Sequence, residues 1–357
     1  MKVAILHDYF NTKGGGERLV LKLAEHLKAD IYTAFVDEKN TYDLKKFNVI
    51  PLISKPVSHP IWRIIKGLKA FSELKLQDYD VYILSGTLVT AAAKNLKPNI
   101  WYCHTPPRHV YSQKEWYLQN LGFFGRIGMP LFVKYQRRKD QKNVREVQYI
   151  IANSKNVKKR ILDYYGRTDV CIVYPPIDPR FKWKGQTDYY LSFARVDPLK
   201  RVALVAKAFT MMPDKKLIIA SSGSDMKRVK AMSTPNIDVR GFVSEEELQK
   251  LVGNCVATIY IPVDEDFGMS PLEGNYAGKP CIGVNEGGLK ETILHEKTGY
   301  LLRKNPSVSD LVKAVKWLDP KRAKIMRLAC EKRAKEFDER EFLKGMDSVI
   351  SEVVRNN

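Results

Sequence analysis

Short, almost wholly apolar runs recur along this chain, each followed by a loop and then a longer stretch with helical periodicity. In the first half they fall at residues 2–7, 31–36, 81–85, 100–103, 149–153 and 170–174. Runs that are apolar throughout, rather than alternating, belong to strands buried on both faces, and βαβ units bury strands that way. Gly14-Gly15-Gly16-Glu17 opens the first helix, with Leu19, Val20, Leu23, Ala24 and Leu27 on one face. The rhythm then breaks at Pro175-Pro176-Ile177-Asp178-Pro179, where three prolines in five residues make a stiff connector. It restarts with strands expected at 189–194, 216–221, 237–241, 256–261 and 280–284, a helical stretch over 308–337, and a last amphipathic helix over 339–354 carrying Phe342, Met346, Val349, Ile350 and Val353. The class is α/β, with two Rossmann-like domains facing across a cleft: residues 1–174 and residues 175–338. A length of 357 residues fits two domains.

No run approaches the ~20 apolar residues that span a bilayer, and the N-terminus reads as a buried strand rather than a signal peptide. The five scattered cysteines are expected to be reduced thiols, four of them in or beside strands, which implies a cytoplasmic setting. The formal charge of +20 calls for an anionic partner: nucleic acid, a phosphate-rich substrate or an anionic membrane. Two basic amphipathic stretches, 60–71 and 117–135, admit two readings. Each is a core-facing helix with a solvated basic back, or a surface that associates peripherally with an anionic membrane on its inner face. The latter stretch carries Leu121, Phe123, Phe124, Met129, Leu131, Phe132 and Val133. No recognised motif supports a nucleic-acid partner.

Chemistry collects where strands end. Open α/β sheets bind ligands at the carboxyl ends of their strands. The run at 256–261 leads into Asp264-Glu265-Asp266-Phe267-Gly268-Met269-Ser270-Pro271-Leu272-Glu273, with a short helix expected over 271–277. The carboxylates Glu265 and Glu273 there suit sugar and ribose hydroxyls, which donate to them. The run at 189–194 ends at Arg195 and Lys200, two cations able to clamp a diphosphate. Gly15 and Gly16 let a phosphate approach a helix N-terminus. His104 leaves the run at 100–103 in His104-Thr105-Pro106-Pro107-Arg108. Cations for phosphate beside carboxylates for hydroxyls specify a sugar nucleotide better than any single part. A dinucleotide-dependent dehydrogenase fails, because Leu19 stands where the third glycine of that fingerprint belongs.

These motifs, with Asn153-Ser154, Pro175 to Asp178 and Glu286-Gly287-Gly288 in order, resemble the family 4 glycosyltransferases of the GT-B fold along nearly the whole chain. The Glu265–Gly268 form is similar to that of mannosyltransferases of surface-polysaccharide and O-antigen assembly; many relatives have Gly where this chain has Asp266. The resemblance implies retaining transfer of a hexose, with mannose from GDP-mannose as the expected donor, onto a saccharide or polyprenyl-linked saccharide. It implies that Glu273 holds ribose, Glu265 a donor-sugar hydroxyl, and Arg195 and Lys200 the diphosphate. Backbone N–H groups from Phe267, Gly268, Met269 and Ser270 would bind phosphate or sugar oxygens. Gly15 and Gly16 would approach the phosphates, and His104 the sugar near the reacting centre. Residues 1–174 would bind acceptor and residues 175–338 donor, with the helix at 339–357 crossing back onto the first domain. Asp264-x-Asp266 and Asp78-x-Asp80 spell a metal motif of another glycosyltransferase fold, but Arg195 and Lys200 make a metal unnecessary, and no cofactor is expected. A UDP-sugar donor, or a non-catalytic nucleotide-sugar binding protein, are the alternatives.

Overall fold

The computed structural model describes residues 1–119 and 123–356. Leu121, and the Phe123 and Phe124 side chains of the 117–135 stretch, lie outside the described residues. The chain divides into two compact units, Met1–Pro175 with Phe342–Asn357, and Pro176–Glu341.

In the first unit seven strands form an all-parallel sheet: β1 Val3–His7, β2 Asp30–Thr33, β3 Val49–Pro51, β4 Val81–Ser85, β5 Asn99–Cys103, β6 Tyr149–Ala152 and β7 Val170–Ile172, in the order β3-β2-β1-β4-β5-β6-β7. Its helices are α1 Gly15–Leu27, α2 Pro60–Glu73, α3 Lys114–Gln119, α4 Phe123–Arg145 and α5 Lys155–Tyr165. β1 shows why its run is apolar throughout: Val3 and Ile5 join the core on one face, Ala4 and Leu6 the core on the other. The strand order reverses between β1 and β4, the switch point where such sheets place ligands.

The second unit repeats the plan with β8 Tyr189–Ser192, β9 Lys216–Ile219, β10 Ile237–Val239, β11 Thr258–Ile259, β12 Cys281–Val284 and β13 Gly299–Leu302, all parallel, in the order β10-β9-β8-β11-β12-β13. Its helices are α6 Val202–Phe209, α7 Met226–Ala231, α8 Glu245–Asn254, α9 Met269–Tyr276, α10 Leu289–Thr292, α11 Val308–Trp317 and α12 Pro320–Lys335. The switch point lies between β8 and β11, the strands that deliver Lys200 and Glu265.

Four expectations need correcting. Edge strands β3 and β13 are absent from the sequence reading. The stretch over 308–337 is two helices, because Asp319 caps a new one through the Arg322 N–H and Pro320 takes its first turn. Four cysteines are buried thiols as expected, but Cys171 on β7 is exposed. α9 begins at Met269, two residues earlier than expected, so Glu273 sits little more than one turn inside it. The last helix, α13 Glu339–Arg355, buries Phe342, Met346, Ile350 and Val353 in the core of the first unit. Tyr102 meets Phe342 edge-on at 6.0 Å, and His26 reaches Asp347 at 2.9 Å.

A buried acid in α4 gives the first unit a pH response. Asp140 accepts from the hydroxyls of Tyr111 (2.8 Å) and Tyr165 (2.7 Å). Burial nevertheless pushes its carboxyl up to about 6, against the downward pull of those two donors. Between the ordinary carboxylate value and about 6 the folded state holds a proton that the unfolded state does not, so this contribution to stability falls as pH rises through that window. Asp140→Asn is expected to gain on the parent protein by on the order of 3 kcal/mol between about pH 4 and pH 7. Urea midpoints of both proteins at the two pH values check it; a pH-independent difference would overturn it.

Candidate active site

In the second unit Lys200, Glu265 and Tyr260 form one cluster. The Lys200 ammonium donates to Glu265 Oε2 (2.7 Å) and to the Tyr260 hydroxyl (2.8 Å). It is half-buried, which strengthens the pair relative to a surface bridge. Burial, then the Glu265 charge, raises the Tyr260 phenol well above its ordinary value, so it stays protonated. An ammonium has three donors, and two are used, leaving a third N–H for a ligand.

Local hydrogen bonds hold these strand-end loops together. Val263 N–H donates to Leu199 O (2.8 Å) and Gly288 N–H to Glu265 O (2.9 Å). Gly287 has φ +58°, and a side chain there would strike the Glu265 backbone at 2.3 Å. Gly268 has φ +95° and starts α9, while the Phe267 ring is buried against Phe337 at 5.5 Å. Met269 and Ser270 form the first turn of α9. Glu273, further along α9, pairs with Arg180 Nη2 at 3.4 Å; Arg180 also reaches Glu245 at 3.1 Å. Arg195 is placed apart from Lys200's pair: its side chain is 73% exposed and pairs with Asp197. The neighbouring Arg201 holds the loop to the Lys304 carbonyl and the Asn305 side chain.

In the first unit, His104 Nε2 shares a hydrogen bond with Ser85 Oγ (2.9 Å), and Asn153 donates to the His104 carbonyl (2.8 Å). Behind it, His7 Nδ1–H donates to the Ser85 carbonyl (3.0 Å). Burial and then the neighbouring His104 lower His7 to about 3, so it stays neutral. Gly15 and Gly16 begin α1, and a side chain on Gly16 would meet the His104 ring at 3.7 Å, an ordinary contact. Folding alone therefore does not demand glycine at 16.

The structure thus joins Lys200 with Glu265, and Gly16 with His104. Sequence reasoning missed Tyr260 and Arg180. Tyr260 was absorbed into an apolar run, where only its position at the strand's end could have marked it. Arg180 directly follows the proline connector. Among the described residues no group of three or more His, Cys, Asp or Glu side chains is assembled to hold a metal ion.

A family model described as "Glycosyltransferase Family 4" matches residues 13–181, and one described as "Glycosyl transferases group 1" matches residues 175–337. The chain is 25% identical to "Alpha-1,3/1,6-mannosyltransferase ALG2" of Dictyostelium discoideum, over 99% of this chain and 98% of that protein. Sucrose-phosphate synthase of Thermosynechococcus elongatus superposes with a TM-score of 0.79 over 100% of both chains at 15% identity. The lipopolysaccharide outer core galactosyltransferase WaaB gives 0.75 over 99% of both at 18% identity. Those two likenesses establish the GT-B fold. With both halves matched in family order, the chain is a glycosyltransferase and belongs to glycosyltransferase family 4.

Proposed function

We propose that this chain transfers mannose from GDP-mannose, with retention and without a divalent cation, onto a lipid-linked saccharide at the inner face of a membrane. The observation that carries the proposal is the Lys200–Glu265–Tyr260 cluster at the switch point of the second sheet. It sets a cation suited to a leaving diphosphate against a carboxylate suited to a sugar hydroxyl. The resting pair keeps both groups compensated. An arriving diphosphate takes over as the anion partner of Lys200, and Glu265 turns to a donor hydroxyl. Glu273, oriented by Arg180, holds the ribose hydroxyls. Arg195 completes the diphosphate clamp once drawn from Asp197, and the N–H groups from Phe267 to Ser270 meet phosphate or sugar oxygens. In the first unit, His104, backed by Ser85, contacts sugar, and the Gly15-Gly16 turn admits phosphate. The bare Cα of Gly16, not required by its own packing, supports that assignment.

The ALG2 likeness over nearly the full length supports mannose. Membrane association draws on the outer faces of α2 and α4. Trp62 (56% exposed) and Leu131 (73%) stand there among exposed Lys66, Lys69, Lys134 and Arg138. No helix among the described residues is long and apolar enough to cross a membrane.

A screen of GDP-mannose, UDP-glucose, UDP-N-acetylglucosamine and UDP-galactose tests the donor, read as thermal shift and nucleotide release. GDP-mannose alone is expected to stabilise the protein and release nucleotide, at a rate unchanged by EDTA. Release from a UDP-sugar only, loss of turnover in EDTA, or binding without release would each overturn the corresponding part.

A further inference from the structure

The first unit holds a cavity of about 320 Å3 walled by α2, α3, α4 and the turn Leu88–Ala92. That size is at the lower end of ligand pockets, enough for part of a chain-like ligand. Its apolar lining includes Ile64, Leu88, Met129, Phe132 and Val133. Two cations, Arg63 and Lys114, also line it. Arg63 lies over the rings of Tyr9 (5.3 Å) and Phe35 (5.9 Å) and donates to the carbonyls of Val57 (2.9 Å) and Ser58 (3.2 Å). Among the described residues neither Arg63 nor Lys114 is paired with a carboxylate. Thr87, His109 and Gln136 also line it, but a mostly apolar interior with two cations that no carboxylate pairs is complementary to one kind of molecule: an apolar chain that ends in phosphate.

The cavity lies at the ligand-binding end of the first sheet. Thr87, which lines it, donates through its N–H to Asp8 Oδ2 (2.8 Å) just past β1. Two residues before Thr87 is Ser85, the partner of His104. A phosphate held by Arg63 and Lys114 would therefore leave its attached saccharide at the end of the sheet that carries His104. The same two helices, α2 and α4, expose apolar and basic side chains on their outer faces, so the chain's remainder need not leave an apolar surface.

We propose that this cavity binds the lipid end of the acceptor: the first isoprenoid units in the apolar interior, and the phosphate on Arg63 and Lys114. The proposal rests on the lipid-linked acceptor named above and adds the site that selects it.

Calorimetry on the full chain with farnesyl diphosphate, farnesol and inorganic pyrophosphate tests it. Each methylene buried favours binding about fourfold, so farnesyl diphosphate is expected to bind at least 100-fold more tightly than pyrophosphate. Lys114→Glu should weaken farnesyl diphosphate about 10-fold and leave farnesol unchanged. Met129→Trp, which fills the cavity, should weaken farnesyl diphosphate and farnesol together and leave pyrophosphate unchanged. Equal affinities for farnesyl diphosphate and pyrophosphate, or wild-type farnesyl diphosphate binding by Met129→Trp with a native thermal transition, would overturn the site. Release of GDP from GDP-mannose by the unmodified protein separates the two readings. Release without farnesyl diphosphate binding refutes the cavity alone; farnesyl diphosphate binding without release of any nucleotide refutes the transferase reading alone.

Discussion

Lys200→Met is expected to lower kcat for transfer by about 10²- to 10³-fold while changing the donor KM much less, the pattern for loss of a group that stabilises charge mainly in the transition state. The substitution keeps the length of the side chain and removes only the charge. The diphosphate gains charge as the sugar–oxygen bond breaks, so the ammonium is worth more there than in the bound ground state. Removing it also takes its ion pair from Glu265, whose side chain is 18% exposed. Loss of that half-buried ion pair costs stability, on the order of 1–3 kcal/mol. Lys200→Met combined with Glu265→Gln should recover that stability and none of the kcat, which separates catalysis from folding. Steady-state rates of nucleotide release, with thermal midpoints for both proteins, make the measurement. An unchanged kcat in Lys200→Met would remove the leaving-group role.

Gly288→Ala should have a large effect on folding. The backbone at 288 is ordinary, so the constraint is space rather than conformation. An added Cβ would lie 2.4 Å from the Phe267 Cα, 2.5 Å from its carbonyl oxygen and 2.6 Å from that of Asp266. These are backbone atoms and cannot rotate away. Relief requires moving the loop that carries Glu265, whose carbonyl the Gly288 N–H also holds. A cost of about 3 kcal/mol is expected, at the upper end for overpacking, seen as a fall in Tm of roughly 10 °C for a unit of this size. Activity should fall with it even below the new midpoint, because the displaced loop separates Glu265 from Lys200. A Tm within a degree or two of the parent would show that the loop has slack the structure does not contain.

The same two sites show what a sequence makes legible. The central strands could be read because burial on both faces makes their runs continuous: β1, β4 and β5 are buried at every position. β3 and β13 escaped because edge strands are half-exposed and carry residues that usually end a strand, Pro51 in one and Gly299 in the other. Lys200 and Glu265 were legible because a cation and an acid directly after apolar runs must lie at strand ends. Their partnership, and the part Tyr260 takes in it, was not. Lys200 lies 60 positions from Tyr260 and 65 from Glu265, and only the parallel pairing of β8 with β11 brings it to them. Arg180 was illegible for a related reason: nothing near it in the chain anticipates α9, which supplies its partner Glu273.

The first unit is discontinuous in sequence, and this matters while the chain is being made. Residues up to Pro175 leave the ribosome with the whole seven-stranded sheet, but without the helix whose Phe342, Met346, Ile350 and Val353 cover one of its faces. α1 covers part of that face through Leu19, Val20 and Leu23, but the part that α13 covers, including Tyr102 against Phe342, waits through synthesis of the entire second unit. A nascent chain in that state is the one most exposed to aggregation. Removal of α13 would prolong that state indefinitely. α13 thus acts, in biogenesis, as the late closing step of a unit whose sheet is made before the second unit.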